Sequence, residues 1–108
     1  MSTIYGGNSD RPQNIYTFAT ITNVGTSEVI EIDGTTITVI DVVTGGQITH
    51  QLQGSMDGVN WAGFEDASTK ESGNHLDTYS GYAVRYLRVV VSASHATRTL
   101  TTTICCDA

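Results

Sequence analysis

The stretch "SEVIEIDGTTITVIDVVTGGQITHQLQG", residues 27–54, decides how this chain is read. Apolar residues recur at every second position along it, interrupted by two turn signals, Asp33-Gly34 and Gly45-Gly46. A period of two marks a strand with one buried face, because successive side chains leave the backbone in opposite directions. Asp-Gly and Gly-Gly suit two-residue hairpin turns, whose central residues need positive φ. With Asp33 and Gly34 in such a turn, Ile32 pairs with Thr35, Ile30 with Ile37 and Glu28 with Val39. Ile30, Ile32, Ile37 and Val39 then share one face, while Glu31, Thr36 and Thr38 take the other. With Gly45 and Gly46 in a second turn, Val43 pairs with Ile48, Asp41 with His50 and Val39 with Leu52. Both turns use the same face of the middle strand, so the pattern predicts a three-stranded meander over residues 28–53.

That register sets Asp41 opposite His50 on the apolar face. The pair reads as a cross-strand hydrogen bond satisfying two polar groups near the core, in preference to an acid–base couple, since no nucleophile accompanies it. Ile40 and Val42 are apolar on the opposite face. Their strand is therefore either central in the fold or meets another chain with its second face.

The alternation continues along the chain. Candidate strands are residues 14–23, 27–33, 35–44, 47–54, 60–64, 75–80, 83–92 and 97–105, separated by Gly, Asn, Asp and Ser, and no helical period appears. The fold class expected is all-β: a single antiparallel β-sandwich, jelly-roll-like, of about eight strands. The polar, glycine-bearing residues 1–14 read as an extended N-terminal arm, and residues 15–108 as the sandwich domain. Residues 65–82, the most polar run, read as a long loop with one short strand. Its Glu65, Asp66, Glu71, His75 and Asp77 match no calcium-loop spacing and read as a solvated surface. Neither a metal nor any other cofactor is expected.

Composition narrows the function classes. With 11 acidic and 5 basic residues the net charge is −6, so phosphate backbones would be repelled and no nucleic-acid partner is expected. No stretch approaches the roughly 20 apolar residues that span a bilayer, and the N-terminus lacks the basic and apolar regions of a secretory signal. The expectation is a soluble chain made in a cytoplasm, with no membrane partner. Cys105 and Cys106 are adjacent, too close for an ordinary disulfide, and on a strand they point to opposite faces. Free thiols are expected. Catalytic signatures such as G-x-S-x-G, a Walker loop or H-E-x-x-H do not occur, and no catalysis is expected.

One further motif joins these strands. In "GSMDGVNW", residues 54–61, Asp57 can accept hydrogen bonds from nearby backbone amides and Gly58 can supply a positive φ, while Trp61 offers a large aromatic anchor. About twenty residues later comes "VRYLRVVV", residues 84–91. The combination S-x-D-G-x-x-W followed by R-Y-L-R-V resembles a β-sandwich pattern found in discoidin-like and carbohydrate-binding domains, and in small virion structural proteins of tailed bacteriophages. The resemblance covers roughly residues 47–92. It implies a turn at Asp57 and Gly58, an anchor at Trp61 packed at the core edge, and Tyr86 inside a sheet, beside the structural turns at Asp33, Gly34, Gly45 and Gly46.

The resemblance to phage structural proteins implies a non-enzymatic capsid decoration, or cement, protein on the virion surface. Such proteins often form homotrimers that bridge major capsid proteins. Ile4, Tyr5, Arg11 and Pro12 of the arm, with Ile40 and Val42, are then the expected protein interface. A tail- or fibre-associated role is an alternative. So is a carbohydrate-binding module, for which Trp61, Tyr79 and Tyr82 would form the platform for a glycan.

Overall fold

The structure is a computed structural model, and it describes residues 15–80, 84–94 and 97–107. All regular elements among them are strands: β1 Ile15–Thr17, β2 Gly25–Thr26, β3 Ile30–Glu31, β4 Thr36–Thr44, β5 Ile48–Ser55, β6 Trp61–Gly63, β7 Ser68–Lys70, β8 Gly73–Ser80, β9 Tyr86–Ala93 and β10 Thr99–Asp107. They form two antiparallel sheets. The first has the order β1-β10-β4-β8; the second runs β2-β9-β5-β6, with β3 also on β9 and β7 also on β5. This is the expected all-β sandwich, and its first described strand begins at Ile15.

The core lies between the sheets and follows the period-two pattern strand by strand. Sheet one contributes Ile37, Val39 and Val43 from β4, and Leu100, Ile104 and Cys106 from β10. Sheet two answers with Ile48 and Leu52 from β5 and Leu87, Val89 and Val91 from β9. Phe18, Ile30 and Ile32 close the ends, and Phe18 packs edge-on against Tyr16 at 5.3 Å. Removing such side chains from water is the main favourable term in a domain of this size, at about 25 cal/mol per Å2.

The three-stranded meander does not form. Ile30 pairs with Leu87 of β9, and Ile37 pairs with Cys106 and Tyr79, so the segments flanking Asp33-Gly34 lie in different sheets. β4 and β5 are likewise in different sheets. The reason is that a strand has two hydrogen-bonding edges. Those of β4 are taken by β10 and β8, and those of β5 by β9 and by β6 with β7. The Gly45-Gly46 connection is therefore an arch that carries the chain across the core. Gly45 has φ +82 and Gly46 φ +138. A Cβ at Gly45 would lie 2.2 Å from the Thr97 carbonyl oxygen. Faces that a hairpin would set side by side are set opposite each other instead.

Residues 65–82 also depart from expectation. Within them β7 and the eight-residue β8 are regular strands. β8 is an edge strand whose outward residues are polar or exposed, which gives it the composition of a loop.

Gly45→Asn tests the arch. Asn is favoured where a type I′ hairpin needs positive φ, but here its Cβ meets a backbone carbonyl. The substitution is expected to lower unfolding free energy by about 2 kcal/mol or more in urea melts; a neutral or stabilising result would restore the hairpin.

Candidate functional site

Three places collect polar or exposed groups in a way the core does not require. The first is inside the sandwich. Asp41 on β4, His50 on β5 and Thr102 on β10 are each at least nine-tenths buried, with 4%, 5% and 2% of their surface exposed. Thr102 donates its hydroxyl to Asp41 Oδ1 at 2.6 Å, and His50 Nε2 meets Asp41 Oδ2 at 3.1 Å. The Asp41–His50 contact is the one expected, reached across the core rather than along a ladder. His50 Nδ1 is buried with no hydrogen-bond partner. It borders a recess of about 20 Å3 lined also by Glu65, Lys70, Asp77 and Tyr79, a space the size of one water. Ser68 stands opposite His50 in the ladder, but no hydrogen bond joins it to the ring. The network ties three strands from both sheets together.

Beside that recess the open side of the sandwich is latched. Lys70 on β7 lies 3.8 Å from Asp77 on β8, and Tyr79 donates to Glu65 at 2.7 Å. Burial, then the hydrogen bond to Glu65, push the Tyr79 phenol above its ordinary range. Tyr79 also packs edge-on against Phe64 at 5.1 Å.

The second place is the outer face of sheet two, which includes the motif that carries the family resemblance. The β5–β6 turn forms as expected. Asp57 Oδ1 accepts the Val59 and Asn60 amides at 2.8 Å each, and Gly58 takes φ +77. These backbone hydrogen bonds, Asn60 foremost, hold the Asp57 carboxyl well below the ordinary carboxylate range. Trp61 departs from expectation. It is opposite Ser55 on the outward side, and the Arg88 guanidinium lies 4.3 Å from the centre of its ring. It anchors to a cation, not to the core edge, since its register opposite Ser55 points it outward, the same side as Arg88. Tyr86 lies in the ladder of β9 opposite Ser55 and Glu31, as expected. Trp61 and Tyr79 do not form one platform: they belong to different sheets, and Tyr79 faces the interior edge. Tyr82 lies outside the described residues.

The third place is the outer face of sheet one. Reading across the ladders, Ile15 aligns with Cys105, Thr38 and Thr78, and Thr17 aligns with Thr103, Ile40 and Leu76. Thr101, Val42 and Asn74 form the next row, Thr99 and Thr44 the pair at one end, and Asp107, Thr36 and Ser80 the row at the other. Apart from the Asp107 position in that end row, the described positions on this face are uncharged residue types. Ile15, Ile40 and Leu76 are 64%, 44% and 67% exposed on it. Ile40 and Val42 thus sit together on a strand that is central in its sheet, one of the two arrangements the sequence implied, and no other described strand packs over their face. Leu76 and Ile15 were missed because each lies in a strand read as polar or as an end. The other exposed aliphatics, such as Val24 and Val59, lie in turns. Cys105, a free thiol, is on this face and Cys106 is in the core. The arm positions Ile4, Tyr5, Arg11 and Pro12 lie outside the described residues.

Among the described residues no cluster of three or more His, Cys, Asp or Glu side chains is arranged to hold a metal ion. No described helix is long and apolar enough to cross a membrane. No protein-family model, curated protein or solved structure matches the chain.

Two predictions follow from these geometries. Asp41→Ala strands His50 and Thr102 in the core and should cost about 3 kcal/mol. Replacing all three residues with aliphatic ones of similar size should recover most of that loss, as chemical denaturation of wild type and the two variants would show. The Asp57 bonds should outlast mild acid. A carboxyl depressed in the folded state contributes fully above its unfolded value and loses that contribution only as pH falls through the lower folded one. The Val59 and Asn60 amide shifts should therefore hold steady from pH 7 down to 3.8 and move below it. Movement centred at or above that value would mean the turn does not hold the carboxylate.

Proposed function

We propose that this chain is a non-enzymatic structural protein of a tailed-phage virion, a decoration or cement protein made in the bacterial cytoplasm and placed on the capsid surface. The observation that carries the proposal is the outer face of sheet one. An acidic protein with 11 carboxylate residues has a four-stranded face whose described positions hold one acidic residue, Asp107 in an end row, and that face is furnished with exposed Ile15, Ile40 and Leu76. Grouped exposed aliphatics on a flat sheet suit contact with protein. The buried Asp41–His50–Thr102 network supports the same reading, because its hydrogen bonds join strands to one another around a recess that admits little more than water. The turn at Asp57 and the strand from Arg85 to Val91 add the resemblance to phage structural proteins.

In this reading the sandwich supplies the face by which copies associate. Residues 2–14 engage the major capsid protein by main-chain hydrogen bonds and by Ile4, Tyr5, Arg11 and Pro12. Many repeated contacts around a symmetric shell then make weak single contacts strong together.

The test is sedimentation with empty capsids of the phage whose genome encodes the chain. Full-length protein should pellet saturably, and protein lacking residues 2–14 should stay in the supernatant with a melting midpoint unchanged within about 2 °C. Equal pelleting by both proteins would remove the arm from the proposal, and absence of binding by either would remove the capsid.

A further inference from the structure

We infer that the recess beside His50 is a binding site for one internal water molecule, which donates a hydrogen bond to His50 Nδ1. The argument begins with the ring. Asp41 takes the Thr102 hydroxyl on Oδ1 at 2.6 Å and meets His50 Nε2 on Oδ2 at 3.1 Å. A carboxylate only accepts, so Nε2 carries the hydrogen, and in the neutral ring Nδ1 then presents a lone pair. That atom is buried and has no hydrogen-bond partner among the described residues. A buried acceptor in this state bears the full cost of its desolvation.

The side chains around the recess do not supply the donor. Thr102 donates to Asp41, Tyr79 to Glu65 Oε1, and Gln51 to the Glu65 carbonyl oxygen. Lys70 is drawn to Asp77. Ser68 stands opposite His50 in the ladder, and its hydroxyl does not bond the ring. The missing donor has to come from outside the chain.

Size and chemistry both select water. The recess measures about 20 Å3, and one water needs roughly 10–15 Å3. A buried water also needs about two to four polar partners. With one hydrogen on Nδ1, its other hydrogen has acceptors in the Glu65 and Asp77 carboxylates, which line the same recess, and Ser68 can donate to its oxygen. A metal ion does not fit these walls, because no three ligating side chains among the described residues are arranged to hold one. The walls come from both sheets, His50 and Ser68 from one and Asp77 and Tyr79 from the other. The water therefore extends the Asp41 network across the open side of the sandwich, where Lys70–Asp77 and Tyr79–Glu65 already latch it.

The test is a high-resolution crystal structure of the full chain, grown without ammonium, for wild type and Ser68→Ala. Both should show an isolated oxygen about 2.7–3.2 Å from His50 Nδ1. Ser68→Ala removes one partly buried hydroxyl from a short strand and should keep the wild-type circular dichroism. In solution, the imidazole 15N spectrum of wild type should show hydrogen on Nε2 and none on Nδ1. The ring proton between the two nitrogens should give cross-peaks to a long-lived water in both proteins. The Ser68 hydroxyl itself within bonding distance of Nδ1, or cross-peaks lost in Ser68→Ala, would assign the donor to the serine and overturn the inference. Hydrogen on Nδ1, or no oxygen beside it in either crystal structure, would overturn it as well.

Discussion

The backbone of β4 is hydrogen-bonded along both edges, through nine residue pairs to β10 and eight to β8. Backbone donors and acceptors away from water must be paired, and β4 has none to spare for the strand that follows it. That saturation forces the chain through the Gly45-Gly46 arch into the other sheet, where β5 is saturated in turn. Once consecutive strands are in opposite sheets, their inward faces meet. The Asp41–His50 contact, the filled core and a second face of β4 that points away from the core all follow from this one arrangement.

The same constraint explains what was legible in the sequence. Alternation identified which residues face inward: Ile30, Ile32, Ile37, Val39, Val43, Ile48 and Leu52 are all in the core. It also brought Asp41 to His50. A hairpin and an arch place the same residues on the same side of the chain, however, so period alone does not separate them. The partner that decides between them, β10, comes more than fifty residues after β4. Turn residues did not help either, because glycine at positive φ serves both connections.

The candidate sites were legible in unequal measure. Ile40 and Val42 stood out because two aliphatics on the wrong parity of a strand are conspicuous. The rest of their face did not, since threonine is common on strands whether they are solvated or covered, and the cross-strand pairing of its hydroxyls appears only once the strands are aligned. Trp61 was recognised as an anchor but not for its partner. Arg88 is an ordinary polar position in its own strand, and only the ladder through Ser55 and Gln53 brings the two together.

The pairing of β1 with β10, which sets Ile15 beside Cys105, has a consequence in time. Sheet one acquires its second and third strands in their final order only when the last residues of the chain are available. The contacts of β10 with β4 and β1 close loops of more than fifty residues, each at an entropic cost met before the contact is made. Such a topology belongs to the slow class, folding in milliseconds to seconds. While the C-terminal strand is still being made, β4 has an unpaired edge, and in a crowded cell that edge is open to the wrong strand. The chain is thus most exposed to misassembly late in its synthesis, when most of its sequence is already present.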